Sequence, residues 1–412
     1  MFQFISVIVC LAAFFGLVSY RFLRLPITIG TMVLSLLSAS LLLLSGRRIA
    51  PFHHFALGMF ERLDFHSLVL HALLAFLLFA GALHLDLESL RHHRITVFLL
   101  STLGTLLSAG LIAGLIWCIL HLCHIPASPL GCLIFGALIS PTDPIAVLEM
   151  LQRVGAPAHI QTLLGGESLF NDGVGAVLFL ALLATPGANT LPSIKSFTIL
   201  FFLEAGGGVL LGILLGLFVN RLLRLIDNYR IEVFLTLALA MGGYALADAL
   251  HISAPLEAVA AGLLINSRGR ALAMSPTSVQ RLDDFWSLLD DMLNIILFLL
   301  LGFALIIVPL SGKLILAGLL AIPAALIARG LSVGVLLYPL RRWNPEPGKT
   351  WLVMTWGGLR GALSIALVLA LLDTPALRPF LPITYIIVVF SVLVQGLTMV
   401  PLLRRLGFAP PP

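Results

Sequence analysis

Charge is what this sequence has least of. Only 10% of its 412 residues are Asp, Glu, Lys or Arg, whereas a soluble domain carries about 25%. Hydrophobic residues make up 60% of the chain, and they stand in runs long enough to cross a bilayer. The scarcity of charge therefore excludes an ordinary soluble domain and predicts an all-α polytopic membrane protein.

Cysteine is almost as scarce, and its placement argues against a disulfide framework or a metal site. The four cysteines lie in or beside apolar runs without CxxC spacing, as small buried side chains do. The net charge of +5 does not indicate nucleic-acid binding, because the basic residues lie in short gaps between the runs. Most of them share one side of the membrane if the N-terminus is outside. This bias predicts a cytoplasmic C-terminus. The inner (plasma) membrane is the default location and does not follow from the charge bias.

Thirteen spans are predicted when about 20 residues are allowed for each crossing. They run over 3–20, 26–45, 67–85, 95–120, 130–151, 160–184, 197–220, 231–250, 254–266, 287–308, 312–338, 350–372 and 382–403. The fifth and the twelfth contain residues that interrupt helices. Spans 1–6 and 8–13 therefore look like two halves of an inverted repeat, in which interrupted helices meet near the bilayer midplane and form the ion site.

The two interruptions carry charges of opposite sign. In the fifth span Pro141 and Pro144 bracket Asp143, and proline breaks a helix because it lacks an N–H and clashes with the preceding turn. In the twelfth span glycines flank Arg360 in GGLRG. Asp143 can offset the positive N-terminal helix ends at such breaks, and Arg360 the negative C-terminal ends. A simple kink is the alternative interpretation of the prolines alone.

The sixth span carries an unusual concentration of polar side chains: Glu167, Ser168, Asn171 and Asp172. A charge near the bilayer centre costs about 2.5–3.5 kcal/mol on insertion scales, so it is rarely there without a function. On a helix Ser168 and Asp172 share one face, while Glu167 and Asn171 share the adjacent face. The two carboxylates are therefore expected to have different roles.

Asp172 is the predicted ion-binding group. Burial disfavours the ionised form of a carboxyl, so Asp172 can hold either a proton or a hard cation. Na⁺ prefers oxygen ligands, and Ser168, Thr142 and Asp143 can supply them. Competition of one proton with one cation for one carboxylate suffices for exchange and moves no net charge, which predicts electroneutral antiport by alternating access.

The remaining charges within or near spans are predicted to be structural. Arg329 is unfavourable in a span unless it is paired, and Glu167 is its most economical partner. Five other acidic residues lie near predicted span ends and are expected to be mostly surface charges: Glu204, Asp248, Glu257, Asp290 and Asp291.

Four motifs in this order resemble those of the monovalent cation:proton antiporter-1 family, the NhaP-type Na⁺/H⁺ antiporters and the eukaryotic Na⁺/H⁺ exchangers. They are SPTDPIAVL at 140–148, GGESLFNDGVG at 165–175, ALIARGLSVGV at 325–335 and GGLRGALS at 357–364. The likeness extends over essentially the whole chain. It implies a transporter of monovalent cations and protons that is not an enzyme and needs no cofactor.

The resemblance also implies roles for individual residues. The ion binds at Asp172 of the Asn171–Asp172 pair, supported by Ser168 and by the Thr142/Asp143 break. Asn171 stands where the electrogenic branch of the wider superfamily has a second Asp. By the same resemblance Glu167 pairs with Arg329 and holds the sixth span in register, and Arg360 lies at the break of the twelfth span.

At the level of the molecule, the resemblance implies a homodimer in membrane lipid. Residues 1–94 and 197–308 form the scaffold of a single transmembrane domain covering 1–412, and residues 95–184 and 312–406 form its moving core. One departure stands out. Many relatives carry a glutamate in the third span where this chain has Ala80, which leaves ion coordination, ion preference (Na⁺, Li⁺ or K⁺) and pH dependence open.

Two other functions remain as alternatives. An intramembrane aspartyl protease can use two aspartates from separate spans, here Asp143 and Asp172, but the chain lacks the Tyr-Asp and Gly-x-Gly-Asp signatures of such enzymes. A passive cation channel is the second. A single titrating carboxylate and a Glu167–Arg329 pair suit a carrier better than a channel.

Overall fold

The computed structural model describes residues 2–45, 73–185, 194–269, 274–339, 346–371 and 374–408. These residues are almost entirely helical, and the one extended pairing among them is an isolated antiparallel bridge between Asp143 and Leu359. The predicted all-α class is confirmed. The start of the third predicted span, 67–72, lies outside the described residues.

Eight α-helices lie within residues 2–45 and 73–185, the described part of the first half. They are α1 (Phe2–Val18), α2 (Ile27–Ser45), α3 (Leu74–His84), α4 (Leu87–Leu99), α5 (Thr105–Leu122), α6 (Pro129–Ile139), α7 (Ile145–Arg153) and α8 (Ala158–Leu183). A π-helical turn, Leu100–Gly104, joins α4 to α5 without a break in the helix.

Nine α-helices lie within the described residues from 194 to 408. They are α9 (Ile194–Leu223), α10 (Tyr229–Ala249), α11 (Ala254–Leu264), α12 (Pro276–Phe303), α13 (Gly312–Leu337), α14 (Pro347–Trp356), α15 (Ala362–Leu369), α16 (Phe380–Phe390) and α17 (Leu397–Arg405). A π-helical turn, Ser391–Gly396, makes α16 and α17 one continuous rod.

Nine helical segments of the described ranges are long and apolar enough to cross a bilayer, and three further apolar helices are shorter. The predicted number of thirteen crossings and the inverted repeat stay predictions. The fifth and twelfth spans are discontinuous, as expected, because α6 and α7 are separate helices and so are α14 and α15.

Two helices begin about ten residues earlier than hydropathy predicts. The α4 helix begins at Leu87, where Asp86 caps it by accepting hydrogen bonds from the amides of Glu88 and Ser89. The α12 helix begins at Pro276, capped by Ser275. Both extensions are rich in polar residues. A prediction based on the length of apolar runs misses them, although their backbone is helical.

The helices pack in two sets that meet along α8. In one set α5 packs against α6 and α13, and α15 packs against α6 and α16; in the other α2 packs against α12, and α3 and α9 against α11. Close approaches depend on small residues, as is usual between membrane helices. A Cβ atom on Gly136 of α6 would lie 2.1 Å from the carbonyl oxygen of Ala109 in α5.

Candidate functional site

The two broken spans cross at their interruptions. The amide of Asp143 donates a hydrogen bond to the carbonyl of Leu359 (2.8 Å), which pairs the two non-helical segments. A Cβ atom on Gly361 would lie 2.0 Å from Oδ2 of Asp143, so the crossing requires glycine there. The fifth span is therefore two separate helices, α6 and α7, and not one helix with the simple kink that the prolines alone allowed.

Each break leaves polar helix ends inside the protein, and charged side chains satisfy them. Arg360, only 3% exposed, donates from Nη1 to the carbonyls of Ser140 (2.5 Å) and Pro141 (2.9 Å), which follow the C-terminus of α6. Asp143 accepts a hydrogen bond from the amide of Ile145 (3.0 Å) at the N-terminus of α7. Positive charge thus meets the carbonyl end of one half-helix, and negative charge meets the amide end of the other.

A small polar cluster fastens the first break to α8. Asn171 accepts a hydrogen bond from the amide of Thr142 (3.1 Å) and donates one to its Oγ1 (2.8 Å). That same Oγ1 lies 2.9 Å from Oγ of Ser168, with either hydroxyl able to donate. All three side chains are buried. The side-chain amide of Asn171 therefore holds the unwound segment in place and does not face open space.

An acidic cavity of about 520 Å³ begins at this crossing. Five carboxylates line it: Asp143, Glu149, Asp172, Asp290 and Asp291. Thr142, Ser168 and Asn171 are each buried next to a lining residue in the chain and do not line the cavity. Asp172 is half-buried, and within the described part of the chain its carboxylate accepts no hydrogen bond. Of the acidic side chains at the crossing, it is the one still available to a proton or a cation.

Glu167 projects away from the acidic cavity into a buried ion pair. Arg329 donates from Nη1 and from Nη2 (2.6 Å) to the two carboxylate oxygens of Glu167, and its Nε and Nη2 also donate to the carbonyl of Met354 (3.2 and 3.1 Å). The pair joins α8, α13 and α14. A bidentate arginine with its other donors satisfied is the geometry in which a buried charge pair is tolerated.

Comparison with known proteins identifies this architecture. A family model described as the transmembrane part of sodium/hydrogen exchangers matches residues 9–405. The chain belongs to the sodium/hydrogen exchanger family.

Individual relatives agree with this assignment. The chain is 41% identical over 413 residues to the Na⁺/H⁺ antiporter NhaP of Pseudomonas aeruginosa, covering 98% of this chain and 97% of the relative. It is 33% identical over 350 residues to NhaH of Halobacillus dabanensis, covering 83% and 84%. The sodium proton antiporter MjNhaP1 of Methanocaldococcus jannaschii has the same fold, with a TM-score of 0.77, 20% identity and 98% of both chains covered.

Three acidic residues of this exchanger-family chain lie where sequence reasoning did not expect them. Asp290 and Asp291 line the acidic cavity instead of remaining surface charges at a span end. Asn294, one turn further along α12, is buried and lines the same cavity. Glu257 is not a surface charge either, because it is fully buried in α11. Sequence reasoning misplaced Asp290 because it missed the early start of α12, which puts this residue in the middle of the helix.

Ala80 lies away from the acidic cavity. It belongs to a buried apolar cluster with Phe79 and Trp286, whose rings lie 4.8 Å apart. The α3 residues that line the cavity are instead Leu74, Leu77, Leu78, Gly81 and His84. Carboxylates on the α3–α12 side of the cavity therefore come from α12.

Proposed function

We propose that this chain is a secondary antiporter that exchanges Na⁺ for H⁺ at Asp172. The observation that carries the proposal is the position of this carboxylate. It stands without a hydrogen-bonding partner among the described residues, at the crossing of two broken helices, in the wall of a cavity lined by four further carboxylates. A carboxylate so placed can be taken by a proton or by a hard cation, but not by both at once.

The exchange stoichiometry follows from this competition. When Na⁺ binds Asp172 it displaces one proton, and the loaded site has the same charge in either form. The empty, ionised site is the form that crosses poorly, since an unpaired charge is unfavourable in a non-aqueous seam. Transport is therefore electroneutral, with one Na⁺ for each H⁺.

The proposed Na⁺ ligands are Asp172, Asp143, Ser168 and Thr142. Asp172 and Asp143 present oxygens directly to the acidic cavity, while the hydroxyls of Ser168 and Thr142 lie behind them and bond each other. Asn171 supports the site by holding Thr142 in place. Water in the cavity completes the coordination of a hard cation. Li⁺ and K⁺ are the competing ions to test.

Alternating access is proposed to come from movement of one helix set against the other. The moving core comprises 95–184 and 312–406, the scaffold comprises 1–94 and 197–308, and two copies form a homodimer through the scaffold. The protein lies in the plasma membrane with its N-terminus outside. In that orientation the acidic cavity opens inward, because it reaches His84 at the end of α3 and Gln152 at the end of α7.

Neither alternative is favoured. A protease dyad requires two carboxylates that share one proton, yet Asp143 accepts the amide of Ile145 as a helix cap. Membership of an exchanger family favours a carrier over a channel and over an enzyme.

The test uses purified protein in liposomes that contain a pH-sensitive dye. Adding Na⁺, Li⁺ and K⁺ in turn is expected to produce proton movement with the wild type and none above empty liposomes with Asp172→Asn. Asp284→Asn is the matched control, because Asp284 is exposed on α12 and does not line the cavity. Cation-driven proton movement that survives Asp172→Asn would reject the assignment.

A further inference from the structure

A second cavity lies on the other side of α8 from the acidic one. Phe170 lines it and Asp172 lines the acidic cavity, and two residues two positions apart on a helix point about 200° apart. This side cavity has a volume of about 550 Å³, and its walls come from α4, α8, α9 and α11. It therefore sits between the two helix sets that the proposed transport cycle moves past each other.

The walls of the side cavity are mostly aliphatic, and one of them opens sideways. From α11 the lining residues are Leu256, Ala260, Leu263 and Leu264. Three residues of α9 that line it are 37–39% exposed: Val209, Ile213 and Leu217. Exposed aliphatic side chains along a membrane helix face lipid tails, so the side cavity is open to the hydrocarbon of the bilayer.

The depth of the side cavity matches one leaflet. At about 1.5 Å per residue, Leu256 and Ser267 at its two ends are roughly 16 Å apart, about half of a 30 Å hydrocarbon core. One end, the midplane end, lies level with the proposed ion site, because a Cβ atom on Gly173 would touch Leu256. The other, the membrane-surface end, lies at the turn between α3 and α4, where Asn266 donates to the carbonyls of Ala82 (3.1 Å) and Leu85 (2.9 Å).

Two arginines lie at the membrane-surface end of the side cavity. Arg91 and Arg94 share a face of α4 with Leu87 and Leu90, and all four line the side cavity. The continuous helix Leu87–Leu122 has 36 residues, or about 54 Å, which exceeds a whole bilayer of about 40–45 Å. The first turns of α4 therefore lie among lipid headgroups. Both arginines are exposed, and neither side chain has an ion pair or hydrogen bond with a described residue.

We propose that the side cavity binds an anionic phospholipid, with an acyl chain between α9 and α11 and the headgroup phosphate on Arg91 and Arg94. Guanidinium groups bind phosphate oxygens in pairs, and basic pockets between membrane helices suit anionic headgroups. A free anion would satisfy the arginines but leave the aliphatic walls empty. A phospholipid satisfies both, and it touches both helix sets at the depth of the ion site.

The binding experiment is independent of the ion-exchange proposal, because its readout is bound lipid. Full-length protein is purified, stripped of lipid and titrated with phosphatidylglycerol or phosphatidylcholine of the same chain length, and bound lipid is counted by native mass spectrometry. Replacing both arginines, Arg91→Gln with Arg94→Gln, is expected to weaken phosphatidylglycerol binding about 30-fold and to leave phosphatidylcholine binding unchanged. The matched control is Arg404→Gln with Arg405→Gln, two exposed arginines at the end of α17.

A second variant tests the acyl-chain pocket while the arginines stay in place. Ile213→Trp fills the side cavity from its open side and is expected to weaken phosphatidylglycerol binding at least tenfold. Leu214→Trp is its control, since Leu214 is the neighbouring residue, is 55% exposed and does not line the cavity. Unchanged binding in either test variant would overturn the proposal. Displacement of the lipid by inorganic phosphate, or cross-linking of two copies through Ile213→Cys, would assign the cavity to another occupant and equally overturn it.

Discussion

At the scale of the residue, the chain separates two carboxylates that stand five positions apart on one helix. Glu167 has both oxygens bonded to Arg329, whereas Asp172 accepts no hydrogen bond from the described residues. A saturated, paired carboxylate cannot easily release its partner to bind a cation. In the proposed exchange Glu167 is therefore the fixed charge on one face of α8, and Asp172 is the exchangeable one on another.

The Glu167–Arg329 pair gives a prediction about stability. Glu167→Gln leaves a buried guanidinium without its counter-charge and is expected to lower the free energy of unfolding by about 3–5 kcal/mol. The measurement is thermal or denaturant unfolding of the purified protein. Arg153→Gln breaks the Glu149–Arg153 pair on α7, in which the arginine side chain is 52% exposed, and should change stability by less than about 1 kcal/mol. Equal losses from the two substitutions would contradict the structural role of the buried pair.

Asp290 gives a prediction about cation affinity. It lines the acidic cavity without lying at the helix crossing, so its charge attracts Na⁺ toward the site rather than holding it. Asp290→Asn is expected to raise the KM for Na⁺ about two- to tenfold while the maximal rate stays within about twofold. The rise should shrink when an impermeant salt screens the cavity, since screening weakens exposed charges.

The same assay separates attraction from coordination. Asp284→Asn on the same helix keeps the KM for Na⁺ unchanged, because Asp284 does not line the cavity. Complete loss of exchange in Asp290→Asn, together with a normal elution profile of the protein, would instead make Asp290 a ligand of the ion.

At the scale of the element, the interrupted spans could be predicted because their cause is local. Pro141, Pro144 and the GGLRG sequence act on the backbone wherever they occur, so the two breaks follow from the sequence. What the local pattern cannot supply is the contact between them. The bridge from Asp143 to Leu359 and the bonds of Asn171 to Thr142 depend on how α8 and the two breaks pack together.

Helix length explains the residues that sequence reasoning missed. Asp290 was placed at the start of a span because hydropathy rises only after 287, but the helix begins at Pro276. A polar, water-facing extension is helical for the same backbone reasons as its apolar continuation. Glu257 was missed for a different reason, since only the packing of α9 and α10 around α11 buries it.

The helix crossing itself can be tested through Gly361. Gly361→Ala places a methyl group 2.0 Å from Oδ2 of Asp143, so the two breaks must separate or Asp143 must turn away. Exchange is expected to fall at least tenfold, measured in the liposome assay. Gly348→Ala, in the first turn of α14 with open space around its Cβ position, should keep the wild-type rate. Normal exchange by Gly361→Ala would show that the close crossing is not needed for transport.

At the scale of the whole molecule, the charged groups that are bonded within the helix crossing are distinct from Asp172, the proposed exchangeable one. Arg360 meets the carbonyl end of α6, Glu167 meets Arg329, and Asp143 caps α7, so each belongs to the frame of the crossing. None of these charges is free to change when a cation replaces a proton. In the proposed exchange only the occupant of Asp172 changes, and the two occupants carry the same charge.

This charge arithmetic predicts that the membrane potential does not drive exchange. A net charge moved per cycle would couple to the potential with about 2.3 kcal/mol per 100 mV. With one Na⁺ for one H⁺ that coupling is zero. Liposomes clamped near 100 mV with K⁺ and valinomycin should therefore show the same initial rate as unclamped ones, and the Na⁺ gradient at equilibrium should equal the proton gradient. Na⁺ accumulation driven by the potential alone, without a pH difference, would contradict this prediction and would require a second titrating group in the cycle. Asp143 is the acidic neighbour of Asp172 at the crossing, and Asp143→Asn would test whether it is that group.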